Sequence, residues 1–190
     1  MQQLLRYCIF MKTYISLLRG INVSGKNTIK MEVLKKLALN LNFVQVQTYI
    51  QSGNLLFQTE ETDERLLSHQ IHQAIQEELR LDIPVLTLSA TTFETLVRQC
   101  PFTQTEEQAQ LYISFFHSTP TVQNHTHILE KKTVEEHLAF SDSAAYLVAT
   151  NGYGHTKITN TLLEQKLCIT ATTRNYKTCL KLIELADAMQ

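Results

Sequence analysis

Apolar residues fall in short runs along this chain, and the spacing inside each run decides which element it can form. Thr13 to Leu18 (TYISLL) joins β-branched, aromatic and aliphatic side chains and stops at Arg19-Gly20, as a buried strand does. From Met31 the period changes. Leu34, Leu37, Ala38 and Leu41 recur three and four apart and give a helix one apolar face. Phe43 to Ile50 and Asn54 to Thr59 read as two strands about the turn Gln51-Ser52-Gly53. A second helix starts near Thr62 or Asp63, either of which can cap its amides, turns Leu67, Ile71, Ala74 and Ile75 inward, and ends near Leu81. Pro84 opens a short strand through Leu88.

The order strand, helix, strand, strand, helix, strand is that of a split βαβ unit, the ferredoxin-like or α/β plait. The signal then returns. Leu111 to Phe116 (LYISFF) echoes Thr13 to Leu18 at an offset of 98 residues. At that offset a second hairpin is expected over Glu136 to Thr150, around Ser141-Asp142-Ser143, and a second helix over His155 to Leu167. The expected fold is therefore α+β: duplicated ferredoxin-like halves with antiparallel or mixed sheets, at residues 11–95 and 96–190. Thr91 to Gln99 reads as a connecting helix stopped ahead of Pro101, and Phe102 to Gln110 as a polar loop. An extra C-terminal helix, Arg174 to Ala188, places Cys179, Leu182, Ile183 and Ala186 on one stripe and has no counterpart in the first half. Residues 1–10 read as a dispensable extension, with Met11 a second candidate start beside Met1.

Composition narrows the class. With 44% hydrophobic residues, a net charge of -1 and a pI near 6.6, the chain has no global pull toward nucleic acid or membrane. Locally the charges separate. Lys12, Arg19, Lys26, Lys30, Lys35 and Lys36 face only Glu32 between positions 12 and 36, whereas positions 60–107 hold ten acidic residues against three arginines. Cys8, Cys100, Cys168 and Cys179 are widely spaced, which suggests neither a zinc ribbon nor a disulfide framework and fits a reducing cytoplasm. The apolar run near the start is too short to span a bilayer.

Candidate chemistry concentrates at Gly20 to Asn27, GINVSGKN. It is one residue short of the phosphate-loop pattern, because Asn27 stands where a magnesium-binding hydroxyl belongs and the helical period begins several residues later. A nucleotide triphosphatase is therefore not expected. An anion-binding loop built from exposed amides, Arg19 and Lys26 is, with Asn22 and Asn27 either tying the loop to itself or donating to a ligand. Asn151-Gly152-Tyr153-Gly154-His155-Thr156-Lys157 gives a second glycine pair with Lys157 in the first turn of a helix, and Thr172-Thr173-Arg174-Asn175 opens the last helix in similar style. Ser52 and Asn54 at the hairpin tip add polar groups that turn chemistry also explains. His69 with His72, and His125 with His127 along a loop or strand, lack a nearby third ligand, so no metal site is expected. No nucleophile motif is present, and no cofactor is implied. Tyr14 and Phe57 sit where plait sheets can stack bases, but without the RNA-binding consensus they read as core.

The strings YISLLRGINVSGKNTIKM, TYIQSGN and TTRNYKT resemble the bacterial family known as domain of unknown function 1697, from Met11 to the C terminus. That resemblance implies two similar ferredoxin-like halves and supplies no activity, substrate or cofactor. Ser24 stands where members typically have glycine, and Tyr176 where they typically have tryptophan.

The resulting expectation is a cytoplasmic binding protein that takes a phosphate-bearing ligand, a nucleotide or a nucleic-acid end, in a cleft between the halves through Arg19, Lys26, Lys157 and Arg174, with Asn175 beside them. The alternatives are an enzyme acting on a phosphorylated small molecule, with Lys26 or Arg174 stabilising developing charge, and a protein interaction module.

Overall fold

Strand β1 (Lys12–Leu18) is buried from Thr13 onward, on both of its faces. A strand with no wet side has no period-2 alternation, which is why it reads as a continuous apolar run. The computed structural model describes residues 11–23, 25–102, 108–121 and 125–189. The expected extension at residues 1–10, the substitution at Ser24 and the middle of the polar stretch 102–110 lie outside them.

After β1 come α1 (Met31–Asn40), β2 (Val44–Tyr49), β3 (Asn54–Thr59), α2 (Glu64–Leu79), β4 (Val85–Ser89) and α3 (Ala90–Arg98). A 3-10 turn (Gln108–Gln110) leads into β5 (Leu111–Phe116), followed by α4 (His125–Leu129), β6 (His137–Phe140), β7 (Ala144–Val148), α5 (Asn160–Leu167), β8 (Ala171–Asn175) and α6 (Tyr176–Asp187). The protein is α+β with two four-stranded antiparallel sheets, ordered β2-β3-β1-β4 and β6-β7-β5-β8. The chain divides into two compact units: one ends at Phe93 and takes in the chain from Leu182, and the other is Glu94–Lys181.

The helices form where the apolar period predicts. Leu34, Leu37 and Ala38 of α1 and Leu67, Ile71 and Ile75 of α2 are buried in one cluster with Tyr14, Leu18, Leu55, Phe57 and Val85. Asp63 caps α2 by accepting from the amides of Arg65 (2.8 Å) and Leu66 (3.1 Å). In the second unit Phe116, Ala145, Leu147, Leu163 and Leu167 form the matching cluster. Cys179, Leu182, Ile183 and Ala186 are all buried on α6, the stripe that the sequence marks.

The two halves agree at the level of register. Ser16 pairs with Thr87 across β1 and β4, and Ser114 with Thr173 across β5 and β8. In each case the two hydroxyls hydrogen-bond at 2.7 Å. The last strands, β4 and β8, lie at sheet edges, where unpaired amides would invite further pairing. Side chains from the helices above satisfy them. Ser68 Oγ accepts from Thr87 N (2.9 Å), Glu64 Oε1 from Ser89 N (2.7 Å), and Glu164 Oε1 from Ala171 N (3.0 Å).

Three elements differ from the sequence reading. Thr172 to Asn175 does not open the last helix but belongs to β8, a five-residue strand whose inward positions Thr172 and Arg174 are themselves polar, so that no apolar alternation marks it. The last helix does have a counterpart: α3 follows β4 without a linker just as α6 follows β8. Ser89 Oγ accepts from Thr92 N (3.2 Å) and Asn175 Oδ1 from Lys177 N (3.0 Å), so the final residue of each strand caps the next helix. Finally, His125 and His127 lie on the single-turn helix α4, not on a loop or strand.

Two outcomes follow for stability, both measurable by urea denaturation. Ser16→Ala strands the Thr87 hydroxyl in a buried site and costs about 1–3 kcal/mol, and adding Thr87→Val recovers part of that loss because no donor is left unpaired. Gly53→Ala costs about 2 kcal/mol, since Gly53 has φ +77° and a Cβ there would lie 2.7 Å from Ile21 Cδ1 and 2.8 Å from Leu18 Cβ.

Candidate functional site

The segment from Arg19 to Lys30 joins the end of β1 to the start of α1, and polar side chains hold it in shape. Asn22 takes a left-handed conformation (φ 54°) that asparagine tolerates better than most residues. Its Nδ2 donates to Gln51 O (2.7 Å) and Ile29 O (3.0 Å), while its Oδ1 accepts from Ile29 N (2.9 Å). One side chain thus ties the two ends of the loop together and to the β2–β3 hairpin tip. Asn27, also left-handed (φ 49°), donates from its side chain to Gly20 O (3.2 Å). Within the loop Lys26 N donates to Val23 O (3.0 Å) and Asn22 N to Asn27 O (3.2 Å), a miniature hairpin.

These bonds determine what the loop can do. The amides of Asn22, Lys26 and Ile29 are spent internally, so these three do not join a wrap of amides of the kind that defines a phosphate loop. The helix also starts only at Met31. What the loop does deliver is charge at a helix start. Lys30 is the N-cap of α1 and gives it no side-chain cap. Val33 N and Leu34 N bond to Lys30 O, and the amides of Met31 and Glu32 have no acceptor among the described residues. By contrast α2, α3, α5 and α6 are capped by Asp63, Ser89, Thr159 and Asn175. A lysine at the positive end of a helix dipole is unfavourable unless an anion joins it. Lys26 and Lys30 are exposed, and Arg19 is half-buried.

The hairpin tip carries its own outlier. Ile50 is β-branched yet left-handed (φ 48°), and it is 48% exposed. Val23 on the facing loop is 60% exposed. Ser52 Oγ accepts from Asn54 Nδ2 (3.0 Å), and that amide also donates to Tyr49 O (2.9 Å), so buried Asn54 closes the hairpin. Of the sequence candidates, Arg19, Asn22, Lys26, Asn27, Ser52 and Asn54 therefore belong to one loop and hairpin assembly, with Asn22, Asn27 and Asn54 bonded within it. Lys30 is not among the sequence candidates; the sequence marks it as a cation directly before the helical period, where a capping residue is usual.

The remaining candidates belong to the second unit. Lys157 is exposed but lies two residues before the cap Thr159, so it is not in the first turn of α5. Arg174 is only 8% exposed and donates from a guanidinium nitrogen to Thr173 O (2.9 Å). Burial lowers its pKa to about 10, with Cys179 acting in the opposite sense. Asn175 spends its side chain on Lys177 N and Ala109 O (3.3 Å). Thr173 Oγ1 is shared by Ser114, Tyr153 (3.2 Å) and Asn160 (2.5 Å).

The other residues singled out in the sequence have structural surroundings. Tyr14 and Phe57 are core, their rings 5.9 Å apart, and burial raises the Tyr14 pKa. His72 bonds Ile83 O (2.8 Å), His125 stacks on Phe140 (4.1 Å), and His127 meets Glu130 (3.2 Å). Cys179 is fully buried, which pushes its thiol pKa far up. Among the described residues no three His, Cys, Asp or Glu side chains gather as a metal site requires, and no helix is long and apolar enough to cross a membrane.

This architecture has a solved relative. The conserved bacterial protein SP0830 from Streptococcus pneumoniae is similar with a TM-score of 0.70 at 25% identity, over 93% of this chain and 99% of that one. No curated protein sequence matches the chain. The family model described as "Protein of unknown function (DUF1697)" matches residues 11–146, the whole first half with its glycine loop and most of the second sheet, and the chain belongs to that family.

Proposed function

We propose that this protein binds a phosphate-bearing ligand, a nucleotide or a nucleic-acid end, at the start of α1. The observation that carries the reading is the pairing of two exposed lysines, Lys26 and Lys30, with a helix start that has no side-chain cap and two amides without an acceptor among the described residues. Amides, dipole and ammonium groups all favour an anion there. The stitching by Asn22 lowers the entropy lost when the loop engages a ligand. Exposed Val23 and Ile50 add apolar surface next to the charge, which suits a nucleobase or sugar face better than a bare inorganic ion.

We infer further that each half is a copy of one ferredoxin-like unit. Support comes from the shared strand order, the repeated serine–threonine hydroxyl pair and the helix that follows each last strand without a linker. Among the described residues Cys100, Cys168 and Cys179 are in no disulfide, in keeping with a reducing cytoplasm.

Thermal unfolding tests the binding reading with inorganic phosphate, nucleoside mono- and triphosphates and 5′-phosphorylated oligonucleotides. A ligand at 100 times its dissociation constant is expected to add about 2.7 kcal/mol. The variant Lys30→Ser separates ligand binding from fold. It is expected to raise the stability of the unliganded protein by about 1 kcal/mol, because serine caps the helix, and to shrink the ligand-induced shift. Wild type whose melting is unmoved by every anion, or Lys30→Ser protein that keeps the full ligand shift, overturns it.

A further inference from the structure

The two halves part company at the start of β1, about 20 Å of strand away from the loop that follows it. With Ser16 matched to Ser114, Thr13 opposite Gln58 corresponds to Leu111 opposite Val148. Ala90, the first residue of α3, corresponds to Tyr176, the first residue of α6. Leu111, Val148 and Tyr176 are all buried. One half therefore fills these three places with aliphatic side chains and a ring, and the other has a hydroxyl, an amide and a methyl group. In that other half an open cavity of about 380 Å3 is bordered by Lys12, Thr13, Gln58, Ser89 and Ala90, all within the first compact unit.

Gln58 gives the cavity its chemistry. Only 9% exposed, it donates from Nε2 to Met189 O (2.6 Å) and to Thr13 Oγ1 (3.2 Å). A carbonyl can only accept, so the bond to Met189 O fixes which end of the amide is nitrogen. The other atom, Oε1, has no partner among the described residues. Nor is it sealed in, because Thr150 Oγ1 is the one fully enclosed side-chain atom without a partner among them. Gln58 thus holds an acceptor in a fixed position at the cavity. Thr13 Oγ1 receives the glutamine bond and keeps its own proton to donate. Lys12 is exposed and forms no ion pair among the described residues. An anchored acceptor, a hydroxyl donor and an ammonium group thus border one hollow of small-ligand size.

We propose that this cavity is a second binding site, for a small carboxylic acid with a hydrogen-bond donor on the adjacent carbon, an α-amino or α-hydroxy acid. The ligand's ammonium or hydroxyl group donates to Gln58 Oε1, and its carboxylate accepts from the Thr13 hydroxyl and from Lys12. Acetate offers Gln58 no donor, and ethylamine offers Lys12 no acceptor. The site shares no residue with the loop at the start of α1 and does not depend on it.

Isothermal titration with the standard amino acids and L-lactate, beside acetate and ethylamine, tests the proposal. At least one amino or hydroxy acid is expected to bind about tenfold more tightly than either single-group probe, since it gains one more hydrogen bond involving a charged or buried partner. Gln58→Leu, which puts hydrocarbon where the second half has Val148, is expected to weaken that ligand about tenfold. Lys12→Gln is expected to do the same, and it changes an exposed side chain, so it decides the matter should the glutamine variant fail to fold. Melting curves verify the fold of both. Binding of amino acids alone or of L-lactate alone supports the proposal and names the class. No binding by any of these acids, equal binding of acetate or ethylamine, or full affinity in both variants overturns it.

Discussion

A strand buried on both faces leaves little room for an unpaired polar group, and much of this structure follows from that constraint at β1. Every residue of β1 after Lys12 is buried, yet the strand keeps Ser16 at its centre. The serine is tolerable because Thr87 sits opposite it, and the same solution recurs with Ser114 and Thr173. The amide nitrogen of buried Gln58 on the neighbouring strand is satisfied by Thr13 Oγ1 (3.2 Å) and Met189 O (2.6 Å), so the end of the chain is part of how the first sheet is completed. At the outer strands Glu64, Ser68 and Glu164 supply acceptors that water would give in a less covered sheet. Helices α2 and α5 therefore cover a face and seal an edge at once.

The loop that follows β1 is built on the opposite logic. Its side-chain amides are spent on holding shape, while its cations are left at a helix end that disfavours them. Four other helices show that this chain can cap a helix with a side chain. A local arrangement that costs stability where a cheap remedy exists is the observation on which the proposed binding rests. The left-handed Ile50 on the adjoining tip is a second local cost, held in place by the Asn54 bonds and by the close approach of Gly53 to Leu18 and Ile21.

Much of this was legible in the residues, where a period had room to show. Leu34, Leu37 and Ala38, or Leu67, Ile71 and Ile75, mark helices because each packs one face against a sheet, and YIS repeated at Tyr112 exposed the second half. Strand β8 was hidden because its inward positions Thr172 and Arg174 are polar, and because its threonines also suit a helix start. Helix α4 was hidden by its length of five residues. In the candidate site, Gly20, Gly25 and Lys26 announced a loop, but which way its amides turn depends on a bond from Asn22 to Gln51, 29 positions away. No local pattern encodes that contact. Arg174 looked like a ligand fork because it seemed to begin a helix, whereas the strand carries it inward.

That inward arginine separates the two halves in a way their topology does not. Across from Ile113 the second sheet holds Arg174, and across from Ile15 the first holds Leu88. The architecture is thus satisfied by a hydrocarbon at this place in one half and by a guanidinium in the other. A chain assembled from two first halves would keep the hydroxyl pairs and sealed edges and lack the interior cation, so the two similar halves are not interchangeable parts.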